Sequence, residues 1–506
     1  MKINVIEYLE DSAKRFPRKI AFDDLKNKVS FSALYKYTQK IGTGLSQYNH
    51  QPIAIFMDKS VECLEVMYGV IASGNFYTII DTKMPIDRIE KIFDTLNPVS
   101  IVTIKPLKDK LKELNFKNIL FYEDLSETKI NIKKLKEIRE KAVDTDPIYT
   151  LFTSGSTGVP KGYTVNHKGV IDFVEQMAYT FNLTDKDIFA NQSPLYFDLS
   201  INDVFGTIKN GNTMYLIPQS YFMFPVNLFK VLNEKKVDSI FWVPSALVLS
   251  APALEAVKPK YLKRVLFCGE VMPNKQLNMW RKALPKTLYA NLYGPAETVD
   301  ASTYYIVNRK FKDDESLPIG KPFRNTKVLV IDENNKEVTK INEIGELCIA
   351  GSSLSMGYYN NPDKTKDAYV QNPTNSNYLE TIYKTGDLVK YNERGELIYV
   401  SRKDYQIKHM GYRIELGEIE TAIAAIDEIE TQSCIYDDNK KQIVMFYTGQ
   451  ELQTKEIIDK LKSKLPNYMV PNVIIKLNEM PHNQNGKIDR KVLKERYMKG
   501  EIKWKK

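Results

Sequence analysis

The stretch Pro52-Ile-Ala-Ile-Phe-Met57, followed by Val61-Glu-Cys-Leu-Glu-Val-Met-Tyr-Gly-Val-Ile71, decides how this chain folds. The first run is short and β-rich, and the second repeats its apolar residues at helical spacing. Ser100-Ile-Val-Thr-Ile104 starts the cycle again. Strand and helix alternating in this way predict parallel sheets covered by helices, an α/β fold. From about Gly345 the texture changes to shorter strands and turns, in Gly345-Glu-Leu-Cys-Ile-Ala-Gly351 and Gly395-Glu-Leu-Ile-Tyr-Val400. A small α+β domain is expected after Arg402-Lys-Asp404. The Lys-rich stretch around 104–142 reads as exposed helices and loops.

Length and composition bound the function. A chain of 506 residues exceeds one ordinary core, so two or more domains are expected, and 43% hydrophobic content is ample for globular folding. No stretch of about 18 apolar residues occurs, and Met1-Lys-Ile-Asn-Val-Ile-Glu-Tyr-Leu-Glu-Asp11 carries acids where a signal peptide would be apolar. A soluble, cytoplasmic protein without membrane insertion is expected. Cys63, Cys268, Cys348 and Cys434 are far apart, with no CxxC pair, so neither a disulfide framework nor a zinc site is indicated. Four scattered histidines argue against a His-metal site or a Ser-His-Asp triad. The net charge of +9 comes from interleaved basic and acidic residues, which argues against nucleic acid and suits an acidic protein partner.

Several segments carry chemistry. Thr153-Ser-Gly-Ser-Thr-Gly-Val-Pro-Lys161 is a Gly-rich loop whose backbone N–H groups, hydroxyls and lysine can receive phosphate, although such clusters also serve as plain turns. It is not a Walker A loop, because Lys161 follows Pro160 and precedes Gly162. Asn291-Leu-Tyr-Gly-Pro-Ala-Glu297 offers an aromatic ring for a purine and an acid for Mg²⁺, or else a strand-to-turn corner with a surface Glu. Tyr383-Lys-Thr-Gly-Asp387 presents an acid suited to two ribose hydroxyls. Asn485-Gly-Lys-Ile-Asp-Arg490 places Lys487 in a turn-like segment, where it is either a solvated lysine or a counterion for charge between a carboxylate and an α-phosphate.

Taken in order with Leu151-Phe-Thr-Ser-Gly-Ser-Thr-Gly158, Tyr196-Phe-Asp-Leu-Ser200 and Lys408-His-Met-Gly-Tyr-Arg-Ile-Glu-Leu-Gly-Glu-Ile-Glu420, these motifs resemble the adenylate-forming superfamily of acyl- and aryl-CoA synthetases, luciferases and adenylation domains. Within it, the chain resembles amino-acid adenylation domains of nonribosomal peptide synthetases and stand-alone D-alanine–carrier protein ligases. The resemblance implies a large N-terminal domain of stacked sheets, residues 1–402, and a small mobile C-terminal lid, residues 403–506, hinged near Asp404. It implies attack of an amino acid's carboxylate on ATP, with Mg²⁺, followed by acyl transfer to a phosphopantetheine thiol of a carrier protein. By the same resemblance Thr153, Ser154, Thr157 and Lys161 would hold phosphates, Asn291 and Tyr293 would meet adenine, and Glu297 would hold Mg²⁺. Asp387 and Arg402 would bind ribose, Lys487 would bridge carboxylate and phosphate, and the segment around Gly411 would serve the thiol tunnel.

Asp198 matches the position where the family holds an α-ammonium, an acid that acyl-CoA synthetases generally lack, and so favours an amino acid. The rest of the pocket would be Leu199, Asn202, Phe241, Leu266, Cys268, Leu292, Asp300 and Ala301. Phe267-Cys-Gly-Glu-Val271 looks like the D-alanine ligases, and D-alanine for teichoic acid is the leading expectation. Asp300 departs from them, as does the Lys408-His-Met-Gly-Tyr-Arg413 run; a second acid suits a polar or basic side chain in a peptide-type pathway. Since the chain ends soon after Lys487, a separately encoded acidic carrier is expected. The rival readings are an acyl- or aryl-CoA ligase and a catalytically silent nucleotide-binding protein.

Overall fold

The structure, a computed structural model, describes residues 2–155, 158–482 and 488–502. The chain divides into two compact units. One comprises 1–82, 96–151 and 163–403; the other comprises 83–95, 152–162 and 404–506.

The first unit bears out the expected parallel α/β architecture. Strand Pro52–Phe56 is buried along its whole length and lies parallel between Phe76–Ile80 and Ser100–Thr103. A strand covered on both faces has no solvent side for polar residues, which is why its sequence is continuously apolar. The helix Val61–Ala72 follows, with the Ser60 hydroxyl accepting from Cys63 N at 3.2 Å as its N-cap. It packs on the helix Phe31–Leu45 so closely that a Cβ on Gly69 would lie 2.4 Å from Ile41 Cγ2. One strand was hidden from the sequence reading. Within the Lys-rich stretch, Ile119–Phe121 joins the sheet edge parallel to Ser100–Thr103, between the 3₁₀ segment Lys105–Leu114 and the helix Ile132–Lys141.

Among the described residues the same unit holds a nine-stranded sheet with a parallel centre: Ile188–Asn191, Thr213–Leu216, Ser239–Trp242, Arg264–Phe267 and Leu288–Tyr293. Thr303–Ile306 and Lys321–Pro322 close one edge antiparallel. A five-stranded antiparallel sheet, built on Ile344–Gly351 and Thr381–Tyr391, accounts for the change of texture after Gly345.

The second unit contains an antiparallel pair, Ile429–Asp437 with Gln442–Gly449, extended in parallel by Val473–Lys476. The hairpin Gln406–His409 and Tyr412–Glu415 turns at Met410 and Gly411, whose φ values of 53° and 83° are those a two-residue type I′ turn requires. Arg88 forms an ion pair with Glu418 on the helix Leu416–Ala424; the two side chains are 5% and 3% exposed. Among the described residues no helix is long and apolar enough to cross a membrane. All four cysteines are free thiols in the interior.

Two consequences are testable. Arg88→Ala strands the Glu418 carboxylate and is expected to destabilise the second unit by about 3–5 kcal/mol in urea unfolding, whereas the pair Arg88→Met with Glu418→Leu recovers most of that loss. Glu65 is buried in the helix Val61–Ala72, with the Tyr122 hydroxyl donating to its Oε2 at 2.6 Å, and burial pushes its carboxyl up to about 7. The folded state thus binds a proton that the unfolded state has already released. Stability from this group is full below the ordinary glutamate value and falls by on the order of 3 kcal/mol as pH rises through about 7. Glu65→Gln is expected to remove that part of the slope, read as unfolding free energy between pH 4.5 and 7.5.

Candidate active site

In the first unit, alternation along the strand Thr381–Tyr391 turns Tyr383, Thr385 and Asp387 to one buried face. Asp387 lies directly across from Arg402 on the strand Leu397–Arg402, and Arg402 Nη1 donates to Asp387 Oδ1 at 2.9 Å and to the Thr385 carbonyl at 2.8 Å. The other carboxylate oxygen accepts from the Tyr293 hydroxyl. Burial, then the charge of Asp387, pushes the Tyr293 hydroxyl well up, so it stays a donor. Asn291 donates its side-chain amide to the Pro318 carbonyl at 2.8 Å.

Glu297 lies on the 3₁₀ turn Ala296–Thr298 and is 0% exposed, which overturns the reading of a surface acid at a corner. The turn is this tight because Gly294 has no Cβ; one there would come 2.4 Å from the Asp300 carbonyl oxygen. Glu297 Oε1 accepts from the Tyr358 hydroxyl at 2.6 Å, and that hydroxyl is 3.3 Å from the hydroxyl of Tyr383. Glu297 and the strand bearing Asp387 are thereby joined through two tyrosines. Tyr358 was missed by sequence reasoning; Tyr383 stood inside a quoted motif without a role. Among the described residues there is no group of three or more side chains that could hold a metal. One buried carboxylate fits Mg²⁺ that takes its other ligands from phosphates and water.

Four of the nine residues expected to line the pocket lie at the carboxyl ends of parallel strands or just beyond them. Phe241 and Leu266 are neighbours in register, and with Cys268 and Leu292 they are buried. Asp198 opens a 3₁₀ turn, accepting from Leu199 N at 3.0 Å, and Asn202 and Asp203 follow in a π-helical segment, a form frequent at functional sites. Asp300 and Ala301 follow the Glu297 turn and are buried. Burial, then the charges of Asp198 and Asp203, push the Asp300 carboxyl well up.

Lys59 was not anticipated. After Met57-Asp58 it reads as a turn lysine before a helix, yet its Nζ donates to Asn191 Oδ1 at 2.8 Å, the Ile217 carbonyl at 2.8 Å and the Gln192 carbonyl at 3.3 Å. Asn191 Nδ2 in turn donates to Asp203 Oδ2 at 2.7 Å. Burial lowers the Lys59 amine and raises the Asp203 carboxyl, and each charge partly restores the other.

In the second unit the Ser154 hydroxyl donates to the Arg413 carbonyl at 3.0 Å, and the Thr153 hydroxyl to the Lys161 carbonyl at 3.5 Å. Lys161 Nζ is 3.5 Å from the Glu415 carboxylate. Asp404 Oδ1 accepts from Gln406 N at 3.2 Å, and Gly411 is in the hairpin turn. Thr157 and Lys487 lie outside the described residues.

Such a fold, with a buried acid–tyrosine–arginine cradle, has the architecture of adenylate-forming enzymes. Residues 9–359 match the family model described as AMP-binding enzyme, and the chain belongs to that family. It is 30% identical over 502 residues to Bacitracin synthase 1 of Bacillus licheniformis, covering 97% of this chain and 9% of that protein. To Zwittermicin A synthase ZmaJ of Bacillus cereus it is 29% identical over 513 residues, 97% of this chain and 95% of the relative. The chain spans 9%, 14% and 45% of the length of Bacitracin synthase 1, Surfactin synthase subunit 1 and Tyrocidine synthase 1. In fold it is similar to the Vibrio cholerae adenylation domain AlmE, solved with glycyl-adenosine-5'-phosphate, at a TM-score of 0.85 and 21% identity over 99% of this chain and 98% of that one.

Tyr358→Phe removes a donor to a buried carboxylate and is expected to cost about 1–3 kcal/mol of stability, measured by urea unfolding; an unchanged midpoint would show that Glu297 is held without it.

Proposed function

We propose that the chain activates an amino acid with ATP as an aminoacyl-adenylate and passes the acyl group to the phosphopantetheine thiol of an acidic carrier protein. The observation that carries this reading is Asp198, a carboxylate at the head of the 3₁₀ turn Asp198–Ser200 whose charge acts on the buried Asp300 and Tyr149, where an α-ammonium is a natural counter-charge. In the first half-reaction a substrate carboxylate oxygen bonds to the α-phosphorus and pyrophosphate leaves. In the second, the thiol sulfur bonds to the acyl carbon and AMP leaves.

Within this proposal Asp387, held by Arg402 and Tyr293, receives the ribose hydroxyls, and Asn291 and Tyr293 border the adenine. Thr153, Ser154, Thr157 and Lys161 meet the phosphates, and Lys487 bridges the carboxylate and the α-phosphate. Glu297, kept in place by Tyr358, would hold Mg²⁺, which supplies charge neutralisation at the phosphates. We assign the core to residues 1–402 and the lid to 403–506, with Asp404 as the hinge and the Gly411 turn serving the thiol. The choice between D-alanine and a polar or basic amino acid turns on Asp300. A coenzyme A ligase is the second reading, and Asp198 disfavours it.

Amino-acid-dependent pyrophosphate release tests the proposal. Asp198→Ala is expected to lower kcat/KM by about a hundredfold or more, because a desolvated charge pair is lost. Lys487→Ala should abolish the adenylation step. Discharge of the adenylate by coenzyme A alone, as fast as by a carrier protein, would sink the carrier-protein reading.

A further inference from the structure

Around the proposed substrate site lie buried acceptors that no described residue satisfies. Asp300 Oδ2, Asp203 Oδ1 and Asn202 Oδ1 have no hydrogen-bond partner among the described residues, and the three side chains are 3%, 1% and 3% exposed. The Tyr149 hydroxyl, close enough to feel the charges of both Asp198 and Asp300, is likewise without a partner. Buried polar groups are almost always hydrogen-bonded, so such a concentration calls for a ligand rich in donors.

Charge points the same way. The charges of Asp198 and Asp203 both act on Asp300, and Lys59 acts on Asp203. Lys59 cannot turn toward Asp300, since its three donors are already spent on Asn191, Gln192 and Ile217. An α-ammonium received at Asp198 leaves Asp300 Oδ2 still without a donor among the described residues. The backbone is bent to put it there: Val299 and Asp300 have φ of 57° and 67°, a region that β-branched residues avoid.

Resting on the amino-acid reading above, we infer that the substrate is a diamino acid, an α-amino acid whose side chain ends in a second ammonium received by Asp300. A hydroxyl offers one donor and a methyl none, whereas an ammonium offers three N–H groups and the missing charge. A side chain of D-alanine's size would leave Asp300 unmatched.

The test is pyrophosphate release by the full chain with both enantiomers of 2,4-diaminobutyrate, ornithine and lysine, beside 2-aminobutyrate, norvaline and norleucine, their counterparts without the second amine. D-alanine and a panel of aryl acids complete the set. At least one diamino acid is expected to exceed its neutral counterpart about a hundredfold or more in kcat/KM, because the neutral analogue leaves a buried acceptor unpaired. D300N keeps the side-chain shape and suits the left-handed backbone; it is expected to lose that preference while retaining the wild-type melting profile. If the wild type handles D-alanine or a neutral counterpart as well as every diamino acid, or if D300N keeps the preference, the inference is overturned while amino-acid activation stands. Release with aryl acids and with no amino acid would overturn both. Should D300N fail to fold, the wild-type ratios alone decide.

Discussion

A parallel strand covered by helices on both faces has nowhere to put a charge except beyond its ends, and this constraint organises the first unit. Pro52–Phe56 is apolar throughout, and the ammonium of Lys59 appears three residues past its end. Asn191 closes the strand Ile188–Asn191, and Tyr293 closes Leu288–Tyr293, with Glu297 on the next turn. Ile188–Asn191 and Leu288–Tyr293 run parallel within one sheet, so their carboxyl ends fall on one edge, and Lys59, past the end of a strand of the other sheet, reaches that edge through its bond to Asn191. The chemistry is therefore a by-product of how the core excludes it.

Once gathered, the acids have to be held. Tyrosine hydroxyls do this at both nucleotide-side candidates: Tyr293 for Asp387 and Tyr358 for Glu297. A tyrosine is well suited, since its ring adds to the apolar packing while its hydroxyl supplies a donor that burial keeps protonated. Asp387 also has a cross-strand guanidinium, so it is fixed from two directions. The Asp300 carboxyl differs, being buried with no donor to Oδ2 among the described residues, the kind of local departure that would set a substrate group apart from scaffold under the proposed reading.

The sequence made part of this visible. Period-two spacing from Tyr383 to Asp387, and the Gly-Pro turn before Glu297, are local patterns, and local patterns survive in a one-dimensional reading. Tyr358, Lys59 and Asp203 were not visible, because their roles depend on partners 61, 132 and 12 residues away that only tertiary packing brings near. Lys59 illustrates the difficulty: a lysine one residue before an N-capping serine looks solvent-facing, yet it serves as the internal cation of a polar network. The strand Ile119–Phe121 was hidden for a related reason; three residues flanked by lysines are too short to show a period.

The free thiols take on a further meaning in this setting. Burial pushes the Cys348 thiol up to about 12 and the thiols of Cys63 and Cys434 up as well, so none of the three is a thiolate at neutral pH. Nucleophilic sulfur chemistry belongs to thiolates, and buried, protonated cysteines are inert. In the proposed transfer, misdirected acylation of these three cysteines is suppressed by the same packing that builds the core.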